Sequence, residues 1–211
     1  MSRLLPLFPL QLVVFPGESL NLHIFEPRYR QLIKECEQGG LTFGIPAYID
    51  GKVMEVGTEI RLKQIEKRYP NGELDIKTEG IGLFKVQEFY RKAPGKLYSA
   101  ADVEPLEFTT KGDVLANTRI LKLVEELFGL LKVQKKIEEG PDELSTYSLA
   151  HHVGFSLEQE YEFLCIPEEK QRQEWMEAHL EKLLPVVQEM ENLRKRVQMN
   201  GHFKDIVPPK F

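Results

Sequence analysis

Two adjacent histidines, His151 and His152, are the obvious candidates for metal chemistry in this chain. Neighbours on a helix point about 100° apart, so the pair is badly placed to face one ion. Helical zinc sites use i, i+4 spacing, and no second Cys or His lies at ligand spacing here. The expectation is therefore packed or solvated histidines, with no metal and no cofactor. The paired carboxylates Glu125-Glu126, Glu138-Glu139 and Glu168-Glu169 fall on segments read as helices, where solvated faces and caps account for them. Nothing joins them to the apolar pocket that raises a carboxyl pKa for acid catalysis. A phosphate loop needs glycine-rich backbone followed by Lys and Ser or Thr. The nearest segment, Pro94-Gly95-Lys96-Leu97, lacks the first glycine and the hydroxyl. No Gly-x-Ser-x-Gly elbow occurs either. The chain is expected not to be an enzyme.

Binding chemistry is better represented, in Phe25-Glu26-Pro27-Arg28-Tyr29. One reading is structural: Glu26 and Pro27 start a helix, Arg28 pairs with Glu26, and Phe25 and Tyr29 pack on a barrel. The other is functional: Phe25 or Tyr29 lines an apolar groove, because aromatic rings give large contact area at low entropic cost. Both readings stay open at this point. His23 alternates with apolar neighbours, which places it on a polar, outward strand face.

Composition narrows the partners. The 211 residues are 42% hydrophobic and 29% charged, and carry a net charge of −5. That length buries a core without staples. The acidic balance gives no electrostatic pull toward nucleic acid or anionic membrane. Arg194-Lys195-Arg196 and the lysines between Lys132 and Lys136 read as ordinary charged helix faces. Cys36 and Cys165, far apart in sequence, are expected to be reduced, buried thiols. No secretory signal and no bilayer-length apolar run are seen, so a cytoplasmic protein is the expectation.

The elements that must position these residues change character near Thr109 to Asp113. Before it lie short strands. Leu5 and Leu7, then Val13 to Phe15, supply strand formers between Pro9 and Pro16, and Leu20, Leu22 and Ile24 alternate with polar residues. Turns fall at Pro16-Gly17, Asp50-Gly51, Asn71-Gly72 and Pro94-Gly95, and Asn71-Gly72 has the composition of a type I′ hairpin. One helix, about Pro27 to Glu37 with Gly39-Gly40 at its end, interrupts the strands. After Asp113, Leu115, Leu123, Val124, Leu127, Phe128, Leu130 and Leu131 form a helical stripe expected to run to Gly140-Pro141. Asp142 to Val153 reads as a shorter helix closed by Gly154, and Ser156 with Gln159 as a capping box for the next. Pro167 with Glu168 and Glu169 starts a long last helix that Pro185 should kink or divide. Val186, Met190, Leu193 and Val197 continue it as a heptad-like seam, and His202 to Phe211 is expected to be extended.

The opening order, Leu5-Pro6-Leu7-Phe8-Pro9-Leu10, then Val13-Val14-Phe15-Pro16-Gly17 and Phe25-Glu26-Pro27-Arg28-Tyr29, resembles the amino-terminal, substrate-binding domain of the Lon protease family. It is most similar to the small stand-alone members. A second block fits the same family: Val56-Gly57-Thr58-Glu59-Ile60, the Tyr69-Pro70-Asn71-Gly72 turn, and Glu79-Gly80-Ile81-Gly82-Leu83-Phe84-Lys85-Val86. The resemblance implies an α+β chain. An amino-terminal β pseudo-barrel of PUA-like type, residues 1–110, would be followed by a carboxy-terminal helical bundle, residues 111–211. Lon proteases carry an ATPase and a Ser–Lys peptidase beyond this region, and no segment here resembles either. The implied function is non-catalytic binding of unfolded or apolar peptide segments of client proteins, with Phe25 and Tyr29 as candidate peptide-binding residues. The alternatives are an RNA-binding PUA-like domain, against which the acidic balance counts, and an unrecognised hydrolase built around His151 or His152.

Overall fold

A computed structural model describes residues 2–201. Six strands come first: β1 (Arg3–Leu7), β2 (Ser19–Ile24), β3 (Phe43–Ile49), β4 (Lys52–Arg68), β5 (Leu74–Tyr90) and β6 (Ser99–Leu106). Helix α1 (Pro27–Gly39) falls between β2 and β3. Helix α2 (Val114–Leu131), a 3₁₀ helix (Thr146–His152), α3 (Leu157–Leu164) and α4 (Glu169–Gly201) follow. The chain is α+β, with strands before helices as the sequence implied.

The strands run β2-β5-β4-β3-β1-β6, and β6 pairs back onto β5. Five strands, β5, β4, β3, β1 and β6, therefore close on themselves, which removes their edges. All pairings are antiparallel except the short β1–β3 contact. Strand β2 lies outside the closed ring on the first part of β5, from Ser19 opposite Glu79 to Ile24 opposite Leu74. Helix α1 presents Tyr29, Leu32, Ile33 and Cys36 to the core, where they join Phe43, Ile45, Ile60, Leu74 and Ile76. A second cluster, Leu5, Leu7, Phe84, Ala101 and Val103, sits among β1, β5 and β6.

Close backbone approach explains the Gly-Thr and Glu-Gly motifs. A Cβ at Gly57 would stand 2.6 Å from Phe84 Cζ, and one at Gly44 the same distance from that ring. Thr58, fully buried, donates its hydroxyl to the Val14 carbonyl. Gly80 donates to the Glu18 carbonyl at 2.9 Å and accepts from Gly17 N–H at 2.8 Å. A Cβ there would meet the Phe15 carbonyl at 2.5 Å. These bonds hold Val13 to Phe15, expected as a strand, as irregular buried backbone instead. The Val14 carbonyl and the Phe15 amide are satisfied by the side chains of Thr58 and Glu18 rather than by a neighbouring strand.

The type I′ turn falls at a different hairpin from the one the sequence implies. Asp50 (φ 48°) and Gly51 (φ 80°) both take left-handed backbone, so the type I′ geometry belongs to the β3–β4 hairpin. At the β4–β5 hairpin only Gly72 has positive φ, and its amide donates to the Tyr69 carbonyl at 2.9 Å. Pro70 and Asn71 are then the central residues, and the fixed φ of Pro70 favours the type I form.

The helical elements need three corrections. Helix α2 stops at Leu131 rather than at Gly140-Pro141, because left-handed Lys132 (φ 56°) closes it. The Lys132 amide donates to Gly129, and Val133 donates to Phe128 at 2.9 Å, a Schellman closure. Asp142 to Val153 is helical only over its last part, as a 3₁₀ turn that Glu169 ties at Thr146 N–H (2.6 Å). Pro185 lies inside α4 without dividing it; it is exposed, where water can bond the carbonyl it leaves free. Cys165, expected to be buried, caps α3 at the surface, whereas Cys36 is buried as expected; both are free thiols. The Ser156–Gln159 capping box forms in both directions. The seam residues Val186, Met190, Leu193 and Val197 are all exposed. The extended tail expected over His202 to Phe211 lies outside the described residues.

Contacts group the chain into two units. One is Met1–Thr110 with Ser145–Glu169, the other Lys111–Leu144 with Lys170–Phe211. The 3₁₀ helix and α3 thus pack with the barrel. Tyr147 and Phe163 stand around Phe15, with ring centroids at 5.3 and 6.2 Å. In the second unit, buried Gln173 donates to Asn117 Oδ1 at 2.6 Å and to the Asp113 carbonyl at 2.9 Å, fixing the start of α2 against α4. Among the described residues no helix is long and apolar enough to cross a membrane.

Candidate functional site

The two aromatic candidates sit in different environments. Phe25 is 60% exposed at the end of β2. Tyr29 is 5% exposed and stacks on Phe8 at 3.6 Å between centroids. Burial pushes the Tyr29 phenol up from its ordinary pKa. Arg28 does pair with Glu26, at 2.8 Å, and its guanidinium lies 4.5 Å from the Tyr29 ring centre. Glu26 precedes α1, and its carbonyl rather than its side chain receives the first helical amides. His23 faces outward beside Phe25, its ring at 2.7 Å from Asp75 and 3.3 Å from Glu73.

Strand β2 has a strand partner on one side only, β5. Alternate N–H and C=O groups on its other side therefore face no strand among the described residues, the arrangement that accepts an added strand. Asn21 and His23 are exposed there, with Leu20 and Leu22 half-buried.

A second apolar surface lies on the barrel itself. Tyr48, Val53, Met54, Val86 and Phe89 line a cleft of about 650 Å³, rimmed by Lys52, Glu55 and Arg91. Tyr48 and Phe89 remain 36% and 39% exposed. The Asp50-Gly51 hairpin places Tyr48 opposite Val53. A register shift between Val86 and Glu88 re-aims the end of β5 that carries Phe89. Sequence reasoning missed this cleft. The hairpin was visible in Asp50-Gly51, but a bulge leaves no local residue signal.

His151 sits between two carboxylates. Its Nδ1 lies 2.7 Å from Glu160 and its Nε2 3.1 Å from Glu18, so carboxylates occupy both ring nitrogens. Hydrogen bonds to Glu160 and Glu18 raise its pKa to about 9, despite partial burial. At neutral pH the ring is a cation with no lone pair to offer a nucleophile or a metal. Among the described residues no cluster of His, Cys, Asp and Glu can hold a metal ion.

Comparison with known proteins agrees with the architecture. The family model for the substrate-binding domain of the ATP-dependent protease La (Lon) matches residues 4–182. A Lon N-terminal domain protein from Xanthomonas campestris is similar in structure, with a TM-score of 0.67 and 25% identity, covering 83% of this chain and 98% of that one. The N-terminal domain of the Mycobacterium avium complex Lon protease superposes with a TM-score of 0.62 at 13% identity, covering 85% and 98%, a likeness of fold. With its barrel, its helices and its Gly-Thr and Glu-Gly motifs in place, the chain belongs to the Lon substrate-binding domain family.

Proposed function

We propose that this protein is a non-catalytic module that binds apolar segments of client proteins through its barrel unit. The observation that carries the reading is the cleft in which Tyr48, Met54 and Phe89 stand partly exposed. Its volume suits a few client side chains. Apolar burial returns roughly 25 cal/mol per Å², and association costs leave affinities of about micromolar strength. Phe25 is proposed as a further anchor beside the open edge of β2, where an extended client segment gains backbone hydrogen bonds. Tyr29, beneath it in α1, supports that junction through its stack on Phe8. The family supplies the coarser statement, substrate binding. The carboxylates on both nitrogens of His151 argue against a hydrolase built around that residue.

Fluorescence anisotropy of labelled apolar peptides tests the reading. Phe89→Ala should weaken binding about tenfold with an unchanged melting curve. Equal affinity in Phe89→Ala, Tyr48→Ala and Phe25→Ala would remove both surfaces from the site.

A further inference from the structure

One face of α1 and the β5–β6 connection enclose an open concavity of about 1010 Å³. Pro27, Arg30, Gln31 and Lys34 line it from α1, and Lys92 to Leu97 from the connection. Four of these ten residues are cations, Arg30, Lys34, Lys92 and Lys96, and none is a carboxylate. In a chain of net charge −5 this is a local reversal of sign. Only part of that charge is used internally. Lys96 is taken by Glu35 at 2.8 Å, and Arg30 gives one N–H to the Asn71 carbonyl at 2.8 Å. Lys34 and Lys92 are exposed, and no salt bridge among the described residues engages either.

The walls are held in place. Leu97 N–H donates to Gln31 at 3.0 Å, Ala93 N–H to Tyr98 at 2.9 Å and Lys96 N–H to Ala93 at 3.0 Å. Glu35, which accepts from both Lys96 and Tyr98, ties the same connection to α1. The cations therefore stand on a fixed frame, so little ordering is needed on binding. Apolar surface adjoins them: Leu97, on the wall of the concavity, is 53% exposed.

We propose that this concavity binds acidic segments of client proteins, their carboxylates on Lys34 and Lys92 and a neighbouring apolar side chain on Leu97. The proposal rests on the client-binding reading above and adds charge selectivity to it. Arg30 supplies a planar fork for a carboxylate, and the two lysines act as point charges.

Two labelled peptides test it: one with two glutamates beside a Leu-Phe pair, and one with glutamines in their place. The acidic peptide should bind about fivefold more tightly at low salt, the scale of two exposed ion pairs. That advantage should vanish in the double variant Lys34→Glu/Lys92→Glu and at molar salt. Binding of the glutamine peptide should survive both changes. Equal affinities for the two peptides, or an advantage that persists in the double variant, would overturn the inference while leaving client binding intact. Failure of both peptides would instead remove the client-binding reading and this inference with it. A single-stranded RNA that binds through Lys34 and Lys92 while the acidic peptide does not would assign the concavity to nucleic acid and overturn the proposal.

Discussion

The ring of Phe84 occupies the space that a side chain at Gly57 would need, since a Cβ there would stand 2.6 Å from Phe84 Cζ. The Pro46 backbone lies 2.8 Å from the same point, so neither neighbour can yield cheaply. Phe84 is fully buried in the β1–β5–β6 cluster. Gly57→Ala is therefore an overpacking change, expected to cost about 1–3 kcal/mol. Phe84→Ala leaves a cavity instead and should cost about 3–5 kcal/mol. Urea denaturation measures both. If Gly57→Ala loses less than about 0.5 kcal/mol, the strands around Phe84 adjust more freely than this packing allows.

Gly57 also shows what the sequence could and could not reveal. The Gly-Thr and Glu-Gly motifs were legible as family marks, but their spacing said nothing of Phe84, Val14 or Phe15, which reach them across the fold. The strand-then-helix order was legible because hydrophobic period is local. The end of α2 was not, because Lys132 adopts φ 56° without being glycine. The span of α1 was legible from Pro27 and Gly39-Gly40, but its buried face, which separates Tyr29 from Phe25, was not, because it depends on what the helix packs against. The Tyr48–Phe89 cleft depends on a bulge and a hairpin that bring distant residues together, so no window of sequence contains it.

His151 should make stability fall as pH rises. Its folded pKa, about 9, lies above the ordinary value of 6.5, chiefly through its hydrogen bonds to Glu160 and Glu18. A raised folded pKa means the folded state holds the proton more tightly. The stabilisation is fully present below pH 6.5, declines as pH rises, and is lost by about 9. Melting temperatures measured from pH 6 to 10 should show that decline in the native protein and a shallower one in His151→Gln. Parallel profiles for the two proteins would show that the Glu18–His151–Glu160 contacts carry no linked proton.

Phe25 and Tyr29 should respond oppositely to truncation. Tyr29→Ala removes a buried ring stacked on Phe8 and should cost about 3–5 kcal/mol, on the scale of other buried aromatics. Phe25→Ala removes a ring that is 60% exposed and should leave stability within about 0.5 kcal/mol. Peptide affinity should drop in Phe25→Ala alone once both variants are compared well below their melting temperatures. An intact melting curve in Tyr29→Ala would contradict the core placement of its ring.

Proteolysis should find the junction between the proposed domains, residues 1–110 and 111–211. Thr109 is anchored, its N–H donating to the Pro167 carbonyl at 2.9 Å and its hydroxyl accepting from Glu169 N–H at 2.8 Å. Lys111 lies just beyond those bonds, exposed and outside any helix or strand. Lys132, Lys135 and Lys136 lie in a second exposed stretch after the closure of α2. Arg61, Lys67 and Lys77 are as attractive to trypsin chemically, but each is paired in the β4–β5 ladder. A protease needs roughly the freedom of a locally unfolded segment, and ladder residues open only at a large share of the global free energy. Trypsin at low dose should therefore cut first at Lys111 or between Lys132 and Lys136, read by mass spectrometry of the early fragments. Cleavage at Lys77 before either site would mean that β5 is not held in the ladder described here.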